Sequence, residues 1–378
     1  MTLVDHARSL PLGGAETGKP ELSVDLTAVA ANTRHFRRLI DGELMAVVKA
    51  DGFGHGATQV ARTALVNGAT RLGVTSLAEA LALRAAGIRA PVLSWLNPVA
   101  TDWRQAVAAE VEVAVPSLQH LTALPAGTAV HLHLDCGLAR DGAEPAVWPA
   151  PCAAAAQAQH LRVVGVMGHL SSADVPADPV NAVQRERFDW GVQVARAAGL
   201  QPQHLHLAAT AGTLNDPLSH HTMSRIGAGL FGIDPLNRLR PALTLTAPLV
   251  SVRQVGAGTG VGYGHGWVAP EATVLGLIAL GYADGLPRAA SGQAQVLVGG
   301  RRRALVGRIS MDMAVIDLGP GSSARPGDLV TVFGPGEQGE PTVAEWASWA
   351  GTIEHEVVTG LGTRPVRRVR SAGPGRQR

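Results

Sequence analysis

The sequence predicts an α/β protein: an N-terminal (β/α)8 TIM-like barrel followed by a mostly β C-terminal domain. Short apolar runs alternate with Ala/Leu/Arg-rich helical stretches eight times over about 200 residues, the pattern of parallel βα units. Eight is the number of such units that closes a barrel. After Pro241 the helical stretches give way to closely spaced β-type runs punctuated by Gly and Pro. An open doubly wound sheet is the alternative that alternation alone leaves standing.

The elements follow in order. The segment "DLTAVAANTRHFRRLI" reads as an amphipathic helix. The strand-like runs fall at 44–48, 71–74, 91–96, 111–115, 129–134, 163–167, 204–207 and 225–231. Stretches such as "SLAEALALRAAG" and "QRERFDWGVQVARAAG" supply the intervening helices. In the C-terminal part, "LTLTAPLVSVRQV", "ATVLGLIALGY", "AQVLVGG", "RALVGRISMDMAVIDL" and "DLVTVFG" read as strands, with one late helix around 343–350. The expected organisation is a flexible segment at 1–18, a cofactor-binding barrel at 19–240, a β-rich domain at 241–370 and a disordered tail at 371–378.

Composition narrows the function. At 378 residues the chain suits one large domain plus a smaller one. It is 46% hydrophobic and 16% charged, with a formal net charge of +2, so it is globular and carries no basic field for nucleic acid or a membrane surface. The cluster Arg301-Arg302-Arg303 fits a hairpin turn. Two cysteines, Cys136 and Cys152, make no disulfide framework. The opening "MTLVDHARSLPLGGAETGKP" lacks the apolar core of a signal peptide, and no run reaches membrane-spanning length. The expected location is cytoplasmic.

Two scarcities point to chemistry. Of 32 basic residues only Lys19 and Lys49 are lysine, and Lys49 ends the apolar run "LMAVV" just before the Gly-rich "ADGFGHG". An amine can lose its proton near neutral pH and attack a carbonyl carbon; a guanidinium cannot. Other strand ends carry polar groups too: Asp135 with Arg140 five residues on, His169, the stretch from His206 to Thr210, and Arg225. Barrel chemistry sits at the C-terminal ends of the strands. The "RIGAGLFG" segment offers backbone N–H groups around Gly227 and Gly229 suited to a phosphate. An amine and a phosphate cradle together suit pyridoxal 5′-phosphate. The two tyrosines, Tyr263 in "GVGYGHGW" and Tyr282 in "ALGYADGLPR", both lie in Gly-flanked turns, where a phenol is better placed to move a proton or bind a carboxylate than to fill a core.

These residues carry a resemblance. "AVVKADGFGHG" resembles the cofactor-lysine signature of alanine racemases, and "GVGYGHGW", "LGYADGLPR", "GRISMDM" and "LGTRPVRRV" resemble that family's later motifs, in order, from about Glu21 to Arg370. The resemblance implies a pyridoxal-phosphate-dependent racemase of L- and D-alanine, serving D-alanine supply for peptidoglycan. It implies Lys49 as the lysine bound to the cofactor and one acid/base, and Tyr263, from the partner subunit of a homodimer, as the other. It implies that Arg225 faces the pyridine nitrogen, supported by His206, with His169 stacked on the ring. It implies Thr210, Gly227, Ala228 and His355 at the phosphate, and Arg140, Tyr282, Met311 and Asp312 at the substrate. No metal is implied. Phe53 and His355 stand where the family commonly has tyrosines at the phosphate, implying weaker cofactor retention. His133 stands where some members carry a carbamylated lysine, implying that the local anion is absent or supplied by a bound ion or water. The alternatives are a racemase of broader specificity and a non-catalytic barrel that binds pyridoxal phosphate.

Overall fold

The computed structural model describes residues 18–371; positions 1–17 and 372–378, which hold nearly all of the expected flexible segment and tail, lie outside the described residues. The chain forms two compact units. One comprises Ser23–Leu243 with Ile353–Leu361, the other Thr244–Thr352 with Gly362–Arg368 and the stretch up to Leu22.

The first unit is the barrel. A leading strand, β1 (Glu21–Asp25), runs into the helix Leu26–Leu39, where Asp25 Oδ1 accepts from the Thr27 and Ala28 amides at 2.7 and 3.3 Å and so satisfies two of the free first-turn donors. Eight parallel strands follow: β2 (Glu43–Val47), β3 (Arg71–Val74), β4 (Val92–Ser94), β5 (Val111–Val115), β6 (Ala129–His133), β7 (Arg162–Met167), β8 (His204–His206) and β9 (Met223–Ile226). β9 pairs in parallel with β2, Met45 opposite Arg225. The remaining seam is joined by the Thr222 amide donating to Leu205 O at 3.2 Å and the Arg225 amide donating to Ala208 O at 3.0 Å. The sheet therefore closes, which rules out the open doubly wound alternative. Met45, Leu93, Ala114, Met167 and Met223, one from each of five strands, form an apolar cluster with Trp95 against it. "SLAEALALRAAG" folds as the helix Leu77–Ala85, with a capping box between Ser76 and Glu79.

The eighth strand departs from expectation. It begins earlier, at Met223, and ends at Ile226, because Gly227 leaves the strand conformation (φ −114°, ψ −87°) and Ala228–Phe231 forms a 3₁₀ turn. Arg225 thus lies near the strand's end rather than at its start.

The second unit is a sheet of β10 (Leu243–Val255), β13 (Thr273–Ile278), β14 (Gln295–Val298), β15 (Arg301–Val306), β16 (Ala314–Asp317), β17 (Leu329–Phe333) and β18 (Val366–Arg370), with a separate hairpin of β11 (Gly260–Val261) and β12 (Trp267–Val268). The order is β13-β16-β15-β14-β17-β10-β1-β18, and β10 also pairs β13, so the 13-residue β10 serves both sides of the curled sheet. A bulge between Leu249 and Ser251 accompanies the change of partner. The arginine triplet sits in the hairpin of β14 and β15, as expected, and Arg302 pairs Glu345 at 2.7 Å. Two features were not expected: β1 joins this sheet, and a second late helix, Glu354–Thr359, follows Val343–Ala350 and belongs to the barrel unit. Among the described residues no helix is long and apolar enough to cross a membrane.

Candidate active site

Lys49 follows β2 at the C-terminal rim of the barrel, where the chain makes a left-handed turn. Ala50, Asp51, Gly52 and Phe53 have φ between 51° and 62°, and Gly54 follows at 79°. Left-handed backbone costs roughly 1–2 kcal/mol for each residue bearing a Cβ, so the turn needs support. It receives it from Glu79 Oε1, which accepts from the Ala50 amide at 2.7 Å, and from Asp51 Oδ1, which accepts from the Ala57 amide at 2.8 Å. Gly54 has a second reason to be glycine: a Cβ there would stand 2.6 Å from Val358 O in the late helix. Lys49 Nζ lies 6.0 Å from the centre of the Trp95 ring. Burial and the Arg140 charge, with Arg225 further off, lower the Lys49 pKa against the opposing pull of Glu79. More of the amine is therefore free near neutral pH than for an exposed lysine.

Across the β2–β9 pairing sits Arg225, 3% exposed. Its guanidinium donates to His206 Nδ1 at 2.9 Å and to the carbonyls of His206, Gly168 and Leu207 at 2.6, 2.8 and 3.2 Å, and it meets His169 Nδ1 at 3.1 Å. Burial brings its pKa down to about 10, so it remains a cation at neutral pH. Burial and the Arg225 charge, with Arg140, His133 and Lys49 adding to them, push His169 down to about 3, and burial with Arg225 pushes His206 well below the ordinary range. Both imidazoles are neutral at physiological pH. Neutrality is what two rings pressed against a buried cation require.

Next to β9 lies the expected cradle. Thr210, 9% exposed, accepts through Oγ1 from the Gly227 and Gly229 amides at 3.3 and 3.1 Å. Gly227 and Gly229, the two glycines around which the sequence suggests the cradle, thus both turn their amides to one hydroxyl. Phe53 is 7% exposed and packs on Phe231 at 4.9 Å between ring centres. Its Cζ lies 3.0 Å from where a Gly227 Cβ would stand, so the ring tip points at the cradle. The His355 ring is 6.0 Å from the Phe53 ring, and burial and the Lys49 charge lower its pKa. A free amine, a hydroxyl among backbone amides and a fixed guanidinium, all on neighbouring strand ends, fit a phosphate-bearing aldehyde.

Asp135 proves to be a loop anchor. Its Oδ1 accepts from the Gly137, Leu138 and Ala139 amides at 2.8, 2.9 and 3.1 Å, shaping the loop that presents exposed Arg140. The expectation that no protein anion accompanies His133 needs correction. Asp141 Oδ2 lies 3.5 Å from buried His133 Nδ1, and although burial would raise the Asp141 carboxyl, the His133 contact holds it low. The carboxylate comes from the residue directly after Arg140.

The remaining candidates lie in the β unit. Tyr263, 69% exposed, begins a 3₁₀ turn within the β11–β12 hairpin, and a cavity lined by Arg253, Gly262, Tyr263, Arg308, Ser310 and Met313 opens beside it. Tyr282 and Met311 are 42% and 53% exposed and are held side by side, the Tyr282 amide donating to Ser310 O at 3.0 Å and the Ala283 amide to Met311 O at 2.9 Å. Asp312 pairs Arg364 at 2.7 Å, and Arg364 also pairs Asp284 at 2.7 Å. That three-residue arrangement occupies one Asp312 oxygen and was invisible in the sequence.

Comparison with known proteins agrees with this layout. Residues 24–235 match the family described as alanine racemase, N-terminal domain, and residues 242–369 match alanine racemase, C-terminal domain. The chain belongs to the alanine racemase family. The alanine racemase of Mycolicibacterium smegmatis is 44% identical over 380 residues, covering 96% of both chains, and that of Mycobacterium tuberculosis H37Rv is 44% identical over 93% of this chain and 96% of its own. Among solved structures, the Streptomyces lavendulae alanine racemase superposes with a TM-score of 0.92 at 38% identity, covering 95% of this chain and 98% of its own. The Streptomyces coelicolor enzyme gives 0.90 at 41%, covering 93% and 98%. Alanine racemases are pyridoxal-phosphate-dependent isomerases.

Sequence reasoning missed several polar residues within the barrel unit. Glu79 supports the left-handed turn while capping its own helix, and the S-x-x-E spacing of Ser76 and Glu79 is a signal that could have found it. Glu112, His131 and Arg71 form a buried network behind Arg225. They sit inside strands that read as plain apolar runs.

Proposed function

We propose that this chain interconverts L-alanine and D-alanine with pyridoxal 5′-phosphate as cofactor, and that two copies complete the active sites. The observation that carries the reading is the single lysine at the barrel rim, its proton affinity lowered by burial and Arg140, beside a buried arginine flanked by two neutral histidines. Bound at this rim, pyridoxal phosphate supplies an electron sink in conjugation with the substrate Cα, which makes the α-proton removable.

The chain's own residues do the rest. Lys49 Nζ takes or returns the α-proton on one face, and the Tyr263 hydroxyl, contributed by the second copy, serves the other. Two groups on opposite faces invert the centre; a single group would have to cross the substrate plane. Arg225 presents a guanidinium to the cofactor ring nitrogen. Having no acceptor and a high pKa, it leaves that nitrogen unprotonated and tempers the sink, which disfavours side reactions. Thr210, Gly227 and Ala228 hold the phosphate with His355, and His169 covers the ring. Arg140, Tyr282, Met311 and Asp312 orient and confine the substrate. In this proposal the barrel is the cofactor-binding domain, and the β unit carries the second acid/base.

The test is exchange in deuterated water, starting separately from each enantiomer. The reading expects solvent deuterium at Cα of the inverted product. It also expects Tyr263→Phe to slow one direction of proton abstraction more than the other, and equal losses in both directions would contradict the division between the two groups. Deuterium incorporation without any inversion would favour a different reaction at this rim.

A further inference from the structure

Behind Arg225 a line of buried hydrogen bonds runs through the barrel interior. Arg225 meets His206 Nδ1 at 2.9 Å, His206 Nε2 meets His131 Nδ1 at 2.8 Å, and His131 Nε2 meets Glu112 Oε2 at 2.9 Å. Arg71 closes the line, donating from one nitrogen to both Glu112 oxygens at 2.9 and 2.7 Å. His206 and His131 are fully buried, and the Glu112 side chain is 15% exposed.

The protons on this line have one consistent placement. A guanidinium only donates, so His206 Nδ1 must accept. The one proton of neutral His206 is then on Nε2 and donates to His131 Nδ1. His131 Nδ1, as the acceptor of that bond, carries no proton, so the ring's N–H is Nε2–H and donates to Glu112, which when ionised only accepts. Every bond points the same way, from Arg225 towards the carboxylate, and such chains polarise one another. Reversing either ring would set N–H against N–H. Burial would raise the Glu112 carboxyl, but His131 and Arg71 hold it at about 2, so the accepting end stays ionised. The barrel also reserves space for the middle of the line. Gly165 on β7 lies against His131, and a Cβ there would overlap Nδ1, the atom that receives the His206 proton.

We propose that Glu112 and His131 are positioning residues for the reaction: they fix His206 as the Nε2–H tautomer and thereby hold Arg225 in place and orientation. The role rests on the reading of Arg225 as the residue facing the cofactor. Neither residue touches substrate or cofactor; both act through His206.

The test uses ¹⁵N-histidine-labelled protein, cofactor-free for spectroscopy and cofactor-loaded for kinetics. Long-range ¹H–¹⁵N spectra of the wild-type protein should show His206 and His131 each as a single Nε2–H tautomer. Gly165→Ala removes no polar group but displaces the His131 ring; His206 should then lose its single tautomer, and kcat for alanine should fall by roughly tenfold or more with KM little changed. Should Gly165→Ala fail to fold, His131→Leu, of similar volume, is read in the same way. A merely structural role would lower stability without moving the His206 tautomer. An Nδ1–H form of either ring in the wild-type protein, an unchanged His206 tautomer in the variant, or an altered tautomer with unchanged kcat would each overturn the proposal. Wild-type protein that shows the expected tautomers but does not racemise alanine would instead defeat the functional reading and leave the spectroscopic result intact.

Discussion

Replacing Glu112 with glutamine tests the electrostatics of the barrel interior independently of catalysis. The carboxyl, ordinarily at 4.5, is held at about 2 by His131 and Arg71 in spite of its burial. Each pKa unit corresponds to about 1.4 kcal/mol, so the shift represents about 3 kcal/mol of native-state stability at neutral pH. Because the native value lies below the unfolded one, this contribution is complete above 4.5 and is lost as pH falls from there towards about 2. Glutamine keeps a carbonyl for His131 but turns an amide N–H₂ or a neutral oxygen towards the Arg71 guanidinium. Urea unfolding at neutral pH should therefore place Glu112→Gln about 3 kcal/mol below the wild-type protein, with the gap narrowing in acid to well under about 1 kcal/mol as Glu112 protonates. A gap of the same size at both pH values would refute the ionic origin of the effect. A neutral-pH gap below about 1 kcal/mol would refute the burial of the pair as a stabilising element.

Gly54→Ala should destabilise the barrel by more than about 2 kcal/mol, because the left-handed conformation and the approach to Val358 O add together; thermal melts of this variant beside Gly351→Ala, where φ is +66° and nothing lies within 4 Å of the new Cβ, check the difference. Phe53→Tyr places a hydroxyl on the ring tip that faces Gly227, so pyridoxal phosphate should leave the variant more slowly on dialysis than it leaves the parent; equal or faster loss would show that the phenol misses the phosphate. Asp141→Asn removes the carboxylate beside His133, so the ring ¹⁵N chemical shifts of His133 should change at neutral pH; unchanged shifts would mean that the two groups do not interact in solution.

Much of the barrel was legible because parallel strands buried on both faces read as apolar runs, and helices between them keep their own period. The rim of the site was legible for a different reason: Lys49, His169, Arg225 and Thr210 interrupt those runs at their ends, where polar groups are unexpected unless they do something. The boundary of the eighth strand was misjudged because "RIGAG" is apolar enough to extend a strand, and the turn at Gly227 depends on backbone angles that composition does not encode. β1 escaped because five residues next to a strong helix carry no sign of pairing with strands more than 200 residues away. Glu112 and His131 escaped because each is a polar residue inside an otherwise apolar run, and only the register of β5 to β8 brings them to His206. The carboxylate beside His133 was in plain view as "ARDG", but its approach is set by the loop that Asp135 anchors.

Racemisation at this rim requires the Lys49 amine to meet an aldehyde cofactor. The most direct measurement is borohydride reduction of the protein with pyridoxal phosphate, followed by peptide mass mapping, with Lys49→Arg alongside. The added cofactor mass is expected on the peptide containing Lys49 and nowhere on the variant. Label on Lys19 instead, or label unchanged by Lys49→Arg, would contradict this requirement.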